Sequence, residues 1–142
     1  MTIKILGVAA PGGHLSVLEE IASKLEYEMQ IVVSKSENVA NEKYYTITEF
    51  NRNYKLIYAI IDSWRILRIE KPEFIISTGA GVAVPFFIIG KLIYRSKLIF
   101  IESASRVNSL SLTGKLVYFF VDKLYVRDER LAKKYKRAFK ND

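Results

Sequence analysis

The chain has 142 residues, half of them apolar, which suits one domain with a substantial core and is too many for a disordered segment. It has no cysteine and one histidine, His14, so a disulfide framework, a thiolate nucleophile, a Cys-ligated zinc and a multi-histidine metal site are excluded, and no metal is expected. The net charge of +7 is uneven: Arg127 to Asp142 holds 7 basic and 3 acidic residues, which reads either as a solvated helix end or as a surface for phosphate groups, acidic lipid or nucleic acid.

Residues 3–9 are an apolar run that stops at Pro11-Gly12-Gly13, the pattern of a buried first strand and too short for a signal peptide. A helix is expected from about His14 to Leu25, with Leu15, Leu18, Ile21, Ala22 and Leu25 on one face. Met29–Val33 reads as a second strand, Ser34–Lys43 as a polar loop and Tyr44–Ile47 as a short strand. Residues 54–69 predict an amphipathic helix whose apolar stripe is Ile57, Ile60, Ile61, Trp64 and Leu67, ended by Pro72. Glu73–Ser77 is the next strand, followed by Thr78-Gly79-Ala80-Gly81 and an apolar helix from Val82 that tolerates Pro85 in its first turn.

The stretch Val82–Tyr94 falls short of the roughly 20 apolar residues of a membrane span and reads as a buried or interfacial helix. Lys97–Ile101 is a strand, Glu102–Ser109 a polar loop and Gly114–Phe120 a short helix. Lys123–Val126 reads as the last strand, and a basic helix over about 127–142 closes the chain. Alternating strands and helices, with strands apolar on both faces, predict a single α/β Rossmann-like domain over 1–142: a parallel sheet with helices on both faces.

Three loops follow predicted strands on the carboxyl edge, where open α/β sheets bind ligands. In Ala10-Pro11-Gly12-Gly13-His14, glycines between strand and helix let backbone N–H groups approach an anion, or simply make a tight turn. Neither the dinucleotide fingerprint nor a P-loop is present. Ser77-Thr78-Gly79-Ala80-Gly81 repeats the arrangement: a phosphate nest with a Thr78 hydroxyl, or close packing of helix on strand. Glu102-Ser103-Ala104-Ser105-Arg106 pairs an acid with an arginine, as a structural ion pair or as a base beside a phosphate clamp. Together these point to a phosphorylated or diphosphate ligand.

Pro11-Gly12-Gly13-His14-Leu15, the run Ser77-Thr78-Gly79-Ala80-Gly81-Val82-Ala83-Val84-Pro85, and Ile101-Glu102-Ser103-Ala104-Ser105-Arg106-Val107 leading to Ser111-Leu112-Thr113-Gly114-Lys115 are similar to motifs of the acceptor-binding subunits of split GT-B glycosyltransferases. That group includes bacterial capsule and exopolysaccharide proteins that assist a β-1,4-glycosyltransferase, and the membrane-recruiting subunit of the dolichol-pathway UDP-GlcNAc transferase. The layout also resembles the N-terminal domain of the peptidoglycan GlcNAc transferase that acts on lipid I.

The resemblance implies the N-terminal half of a GT-B fold, a donor-binding glycosyltransferase subunit as partner, and a polyprenyl-diphosphate-linked sugar as acceptor. The UDP-sugar would be bound mainly by the partner, so no cofactor is expected here. His14 or Glu102 would be the catalytic base, and Gly12, Gly13, Thr78, Gly79, Gly81, Ser103 and Arg106 would hold phosphate or acceptor. The dolichol-pathway subunit carries an N-terminal membrane anchor, whereas this sequence begins at its first strand. Membrane contact is therefore expected to be peripheral, at the cytoplasmic face, through Val82–Tyr94, Tyr118, Phe119, Phe120 and the basic tail. A non-catalytic membrane adaptor that activates its partner is the alternative. A free-standing nucleotide- or nucleic-acid-binding module fits only the charge, since no RNA or DNA motif is present, and nucleic acid is not expected as a partner.

Overall fold

The computed structural model describes residues 3–34, 44–47, 55–79, 81, 83–102, 109–135 and 138–140. Its elements are Ile5–Ala9 (β1), Gly13–Lys24 (α1), Met29–Ser34 (β2), Tyr45–Ile47 (β3), Lys55–Glu70 (α2), Phe74–Gly79 (β4), Ala83–Leu92 (α3), Lys97–Ile101 (β5), Leu112–Val117 (α4), Lys123–Val126 (β6), Glu129–Lys134 (α5) and Ala138–Lys140 (β7). The seven strands form one parallel sheet in the order β3-β2-β1-β4-β5-β6-β7. From the centre the chain runs to one edge through β2 and β3, then begins again at β4 on the other side of β1. The order therefore reverses between β1 and β4, and a crevice opens outside the carboxyl ends of those two strands.

Side chains alternate across each strand, so the apolar-on-both-faces pattern builds two cores. Leu6 and Val8 of β1, Ile75 of β4, and Leu98 and Phe100 of β5 face one side, packed with Phe86 and Phe87 of α3, Leu67 of α2, Val117 of α4 and Leu131 of α5. The Phe87 and Phe100 rings meet edge to face, 6.4 Å apart. Ile5, Ala9, Ile76 and Ile101 face the other side, packed with Leu15 and Leu18 of α1. Gly7 lets α1 lie close on β1, since a Cβ there would meet Met29 Sδ at 2.6 Å and Leu18 Cδ2 at 2.9 Å.

Three expectations change. In α2 the stripe Ile57, Ile60, Ile61 and Trp64 faces solvent, and the buried face is Ala59, Ser63, Ile66 and Leu67. Ala59 and Ser63 are small enough for close approach, and the Ser63 hydroxyl donates to the Ala59 carbonyl at 2.6 Å, so burying it leaves no unmet donor. The helix expected at 114–120 starts at Leu112 and ends at Val117, because the Ser111 hydroxyl caps it by accepting from the Gly114 amide at 3.0 Å.

The basic helix expected over 127–142 is instead a six-residue α5, capped by Asp128, followed by a seventh strand. Tyr135 is extended (φ −113°, ψ 113°) and stops the helix. A helix continued past Tyr135 would leave the edge of β6 without a strand partner. The strand instead pairs the open edge of β6, Leu124 opposite Ala138 through Val126 opposite Lys140.

Candidate functional site

The turn after β1 and the turn after β4 are joined by hydrogen bonds. Gly12 takes φ +94° and opens α1, its carbonyl accepting from the Ser16 amide at 3.0 Å. Pairing of β4 with β1 shifts register so that Val8 faces Ser77 and Ala9 faces Gly79, leaving Thr78 as the extra residue of a bulge. The Ala10 amide donates to the Gly79 carbonyl at 3.0 Å, the Thr78 hydroxyl donates to the His14 carbonyl at 2.6 Å, and the Gly79 amide donates to the Ser77 hydroxyl at 3.2 Å. Gly79 has φ +132°, and a Cβ on it would lie 2.8 Å from the His14 ring. The imidazole is thus seated against the backbone of the second turn.

A cavity of about 360 Å³ lies beside this junction, lined by Gly13, His14, Val17, Thr78, Ile101, Glu102 and Arg127. Its walls come from α1 and from the carboxyl ends of β4, β5 and β6. The size is that of a small-molecule site. Glu102 is buried at 3% exposure, and its Oε2 accepts from the Ser111 amide at 2.9 Å and the Ser111 hydroxyl at 3.0 Å. That oxygen also blocks any side chain at Gly114. The carboxylate therefore ties the end of β5 to the capped start of α4.

Of the residues expected to act, Gly13, His14, Thr78 and Glu102 meet around the cavity, Gly12 precedes it in the same turn, and Gly79 touches the His14 ring. Thr78 spends its hydroxyl proton on His14, so towards a ligand its oxygen can only accept. Gly81 is exposed in the second turn and does not line the cavity. Ser103 and Arg106 lie outside the described residues. Among the described residues no cluster of three or more histidines, cysteines or carboxylates could hold a metal.

Val17 and Arg127 line the cavity and were not singled out in the sequence. Arg127 had a usable signal, because it directly follows the strand Lys123–Val126 and so occupies the same edge as the three loops after β1, β4 and β5.

A doubly wound parallel sheet with its cavity at the switch point defines a Rossmann-like domain, the N-terminal half of a GT-B fold. UDP-GlcNAc 2-epimerase from Methanocaldococcus jannaschii superposes with a TM-score of 0.74 over 97% of this chain and 45% of that one, at 14% identity. MurG from Acinetobacter baumannii gives 0.73 over 90% of this chain and 42% of that one, also at 14% identity. Residues 23–140 match the family described as oligosaccharide biosynthesis protein Alg14 like, and the chain belongs to that family. The UDP-N-acetylglucosamine transferase subunit alg14 of Schizosaccharomyces pombe is 34% identical over 126 residues, covering 82% of this chain and 59% of that protein. The corresponding rat subunit is 21% identical over 136 residues, covering 84% and 63%. The chain thus spans about three fifths of the length of these relatives.

Proposed function

We propose that the protein is the acceptor-binding, membrane-side subunit of a two-subunit glycosyltransferase. With a donor-binding partner it transfers a sugar from a UDP-sugar to a polyprenyl-diphosphate-linked sugar at the cytoplasmic face of the membrane. The observation that carries the reading is the switch-point cavity beside the Gly12-Gly13 turn, in a chain whose curated relatives are named UDP-N-acetylglucosamine transferase subunits. Capsule or exopolysaccharide assembly is the pathway proposed, on the strength of the three sequence motifs.

His14 is the base in this reading. Both His14 and Glu102 line the cavity, but Glu102 commits Oε2 to Ser111. The acceptor hydroxyl gives its proton to the imidazole as its oxygen bonds to the sugar C1, and the C1–O bond to the UDP leaving group breaks. His14→Ala then lowers turnover of the assembled pair by about 10²-fold or more. Glu102→Gln keeps an acceptor oxygen for Ser111 and costs within about ten-fold. If neither variant changes turnover, the adaptor reading replaces the catalytic one.

Membrane contact is supported by α2. Ile57, Tyr58, Ile60, Ile61, Trp64 and Ile69 are 43–62% exposed, with Arg65 and Arg68 beside them and the Arg68 guanidinium 5.3 Å from the centre of the Trp64 ring. An apolar helix face with basic neighbours suits an anionic lipid surface. Among the described residues no helix is long and apolar enough to cross a membrane. Ile60→Glu with Trp64→Glu leaves thermal stability nearly unchanged and abolishes flotation with anionic vesicles. Undiminished flotation contradicts this part of the reading.

A further inference from the structure

We infer that Arg127 is an anion-binding residue of the cavity and takes the diphosphate of the acceptor. The inference rests on the acceptor-subunit reading above and names a residue through which it works. Arg127 is the one arginine or lysine, among the described residues, that lines the cavity. It sits at the carboxyl end of β6, immediately before Asp128, which caps α5.

That neighbouring carboxylate is not its partner. Asp128 Oδ1 accepts from Arg130 Nε and Oδ2 accepts from the Arg130 terminal nitrogen, both at 3.2 Å, while Oδ1 also takes the Arg130 amide at 2.8 Å. These bonds from Arg130 hold the Asp128 carboxyl below its usual range. Arg127 forms no ion pair among the described residues. Glu102, the acid in the cavity lining, has Oε2 engaged by Ser111. Among the described residues no acid pairs with Arg127, which is exposed and lines the same cavity as Gly13 at the start of α1. The first amides of a helix have no acceptor within that helix and favour an anion. A guanidinium grips two phosphoryl oxygens at once, which an ammonium cannot do.

Two diphosphates could meet this residue: that of the polyprenyl acceptor or that of the UDP-sugar donor. Calorimetric titration of the full chain with farnesyl diphosphate, inorganic pyrophosphate and UDP separates them. The wild type should bind farnesyl diphosphate and pyrophosphate more tightly than UDP. Arg127→Gln should weaken both by about ten-fold or more and flatten the salt dependence, with Arg127→Lys falling between. Wild-type binding that Arg127→Gln leaves unaltered overturns the inference and spares the acceptor reading. Loss confined to UDP assigns Arg127 to the donor and overturns it too. A wild type that binds no prenyl diphosphate removes the acceptor reading and this inference together.

Discussion

In the turn after β1, a Cβ on Gly12 or Gly13 would meet no described residue within 4 Å, whereas at the end of β4 a Cβ on Gly79 would press into the His14 ring at 2.8 Å. The first turn spends its glycines on leaving open space at the mouth of α1. The second spends its glycine on packing, and its amide and carbonyl are both used within the protein, on Ser77 and Ala10. Glycine at this edge therefore leaves space in one turn and permits close packing in the other. In the proposed reading the first turn is the backbone that approaches a phosphate, and the second is the platform against which His14 packs.

Gly79→Ala should show the largest effect, because it meets both a positive φ and the imidazole. A loss of about 2 kcal/mol or more in urea unfolding is expected, together with loss of activity. The comparison sharpens in a double-mutant cycle with His14→Ala. If the close approach is responsible, Gly79→Ala costs clearly less once the ring is gone; equal costs in both backgrounds would reduce its role to backbone strain.

Smaller effects should follow at the first turn. Gly12→Ala bears only the strain of φ +94°, about 1 kcal/mol. Gly13→Ala should change the free energy of unfolding by no more than about 0.5 kcal/mol while weakening acceptor binding. A Gly13→Ala protein as unstable as Gly79→Ala would erase the distinction between the turns.

The smallest effect lies away from both turns, on edge strand β3 and the residue before it. Tyr44 donates to Glu19 at 2.9 Å, and Tyr45 to Glu70 at 2.6 Å. Burial first and then Glu19 raise the Tyr44 hydroxyl above its usual 10.0, and the Glu70 hydrogen bond first and then burial do the same at Tyr45. Both hydroxyls keep their protons longer folded than unfolded, so their stabilisation is complete below pH 10 and fades as pH rises through the raised values. Tyr45→Phe should shrink that alkaline loss of stability and leave the contrast between the turns unchanged at neutral pH.

The order of strands and helices was legible because the strands are buried on both faces and end in glycine, proline or polar residues. Lys97–Ile101 and Lys123–Val126 have the bounds the sequence suggests. Burial was less legible in α2, where periodicity marks an apolar stripe but cannot say which face the sheet will accept. The small residues Ala59 and Ser63 won that face by fitting closely. The seventh strand was hidden because its partner, the open edge of β6, exists only after folding, and the basic composition of 127–142 masked the short apolar pair Ala138-Phe139. At the site, spacing along the chain located the turns near His14 and Thr78. The difference between the turns depends on distances that sequence does not carry, whereas Arg127 could have been found from its place directly after the strand Lys123–Val126.

The central claim is that this chain supplies the acceptor side and a separate subunit the donor side. The most direct test measures transfer of labelled N-acetylglucosamine from its UDP ester to a polyprenyl-diphosphate sugar, by this chain alone, by a co-purifying donor-binding subunit alone, and by the two combined. The account predicts transfer only by the combination, with loss on His14→Ala. Full transfer by either component alone would contradict it.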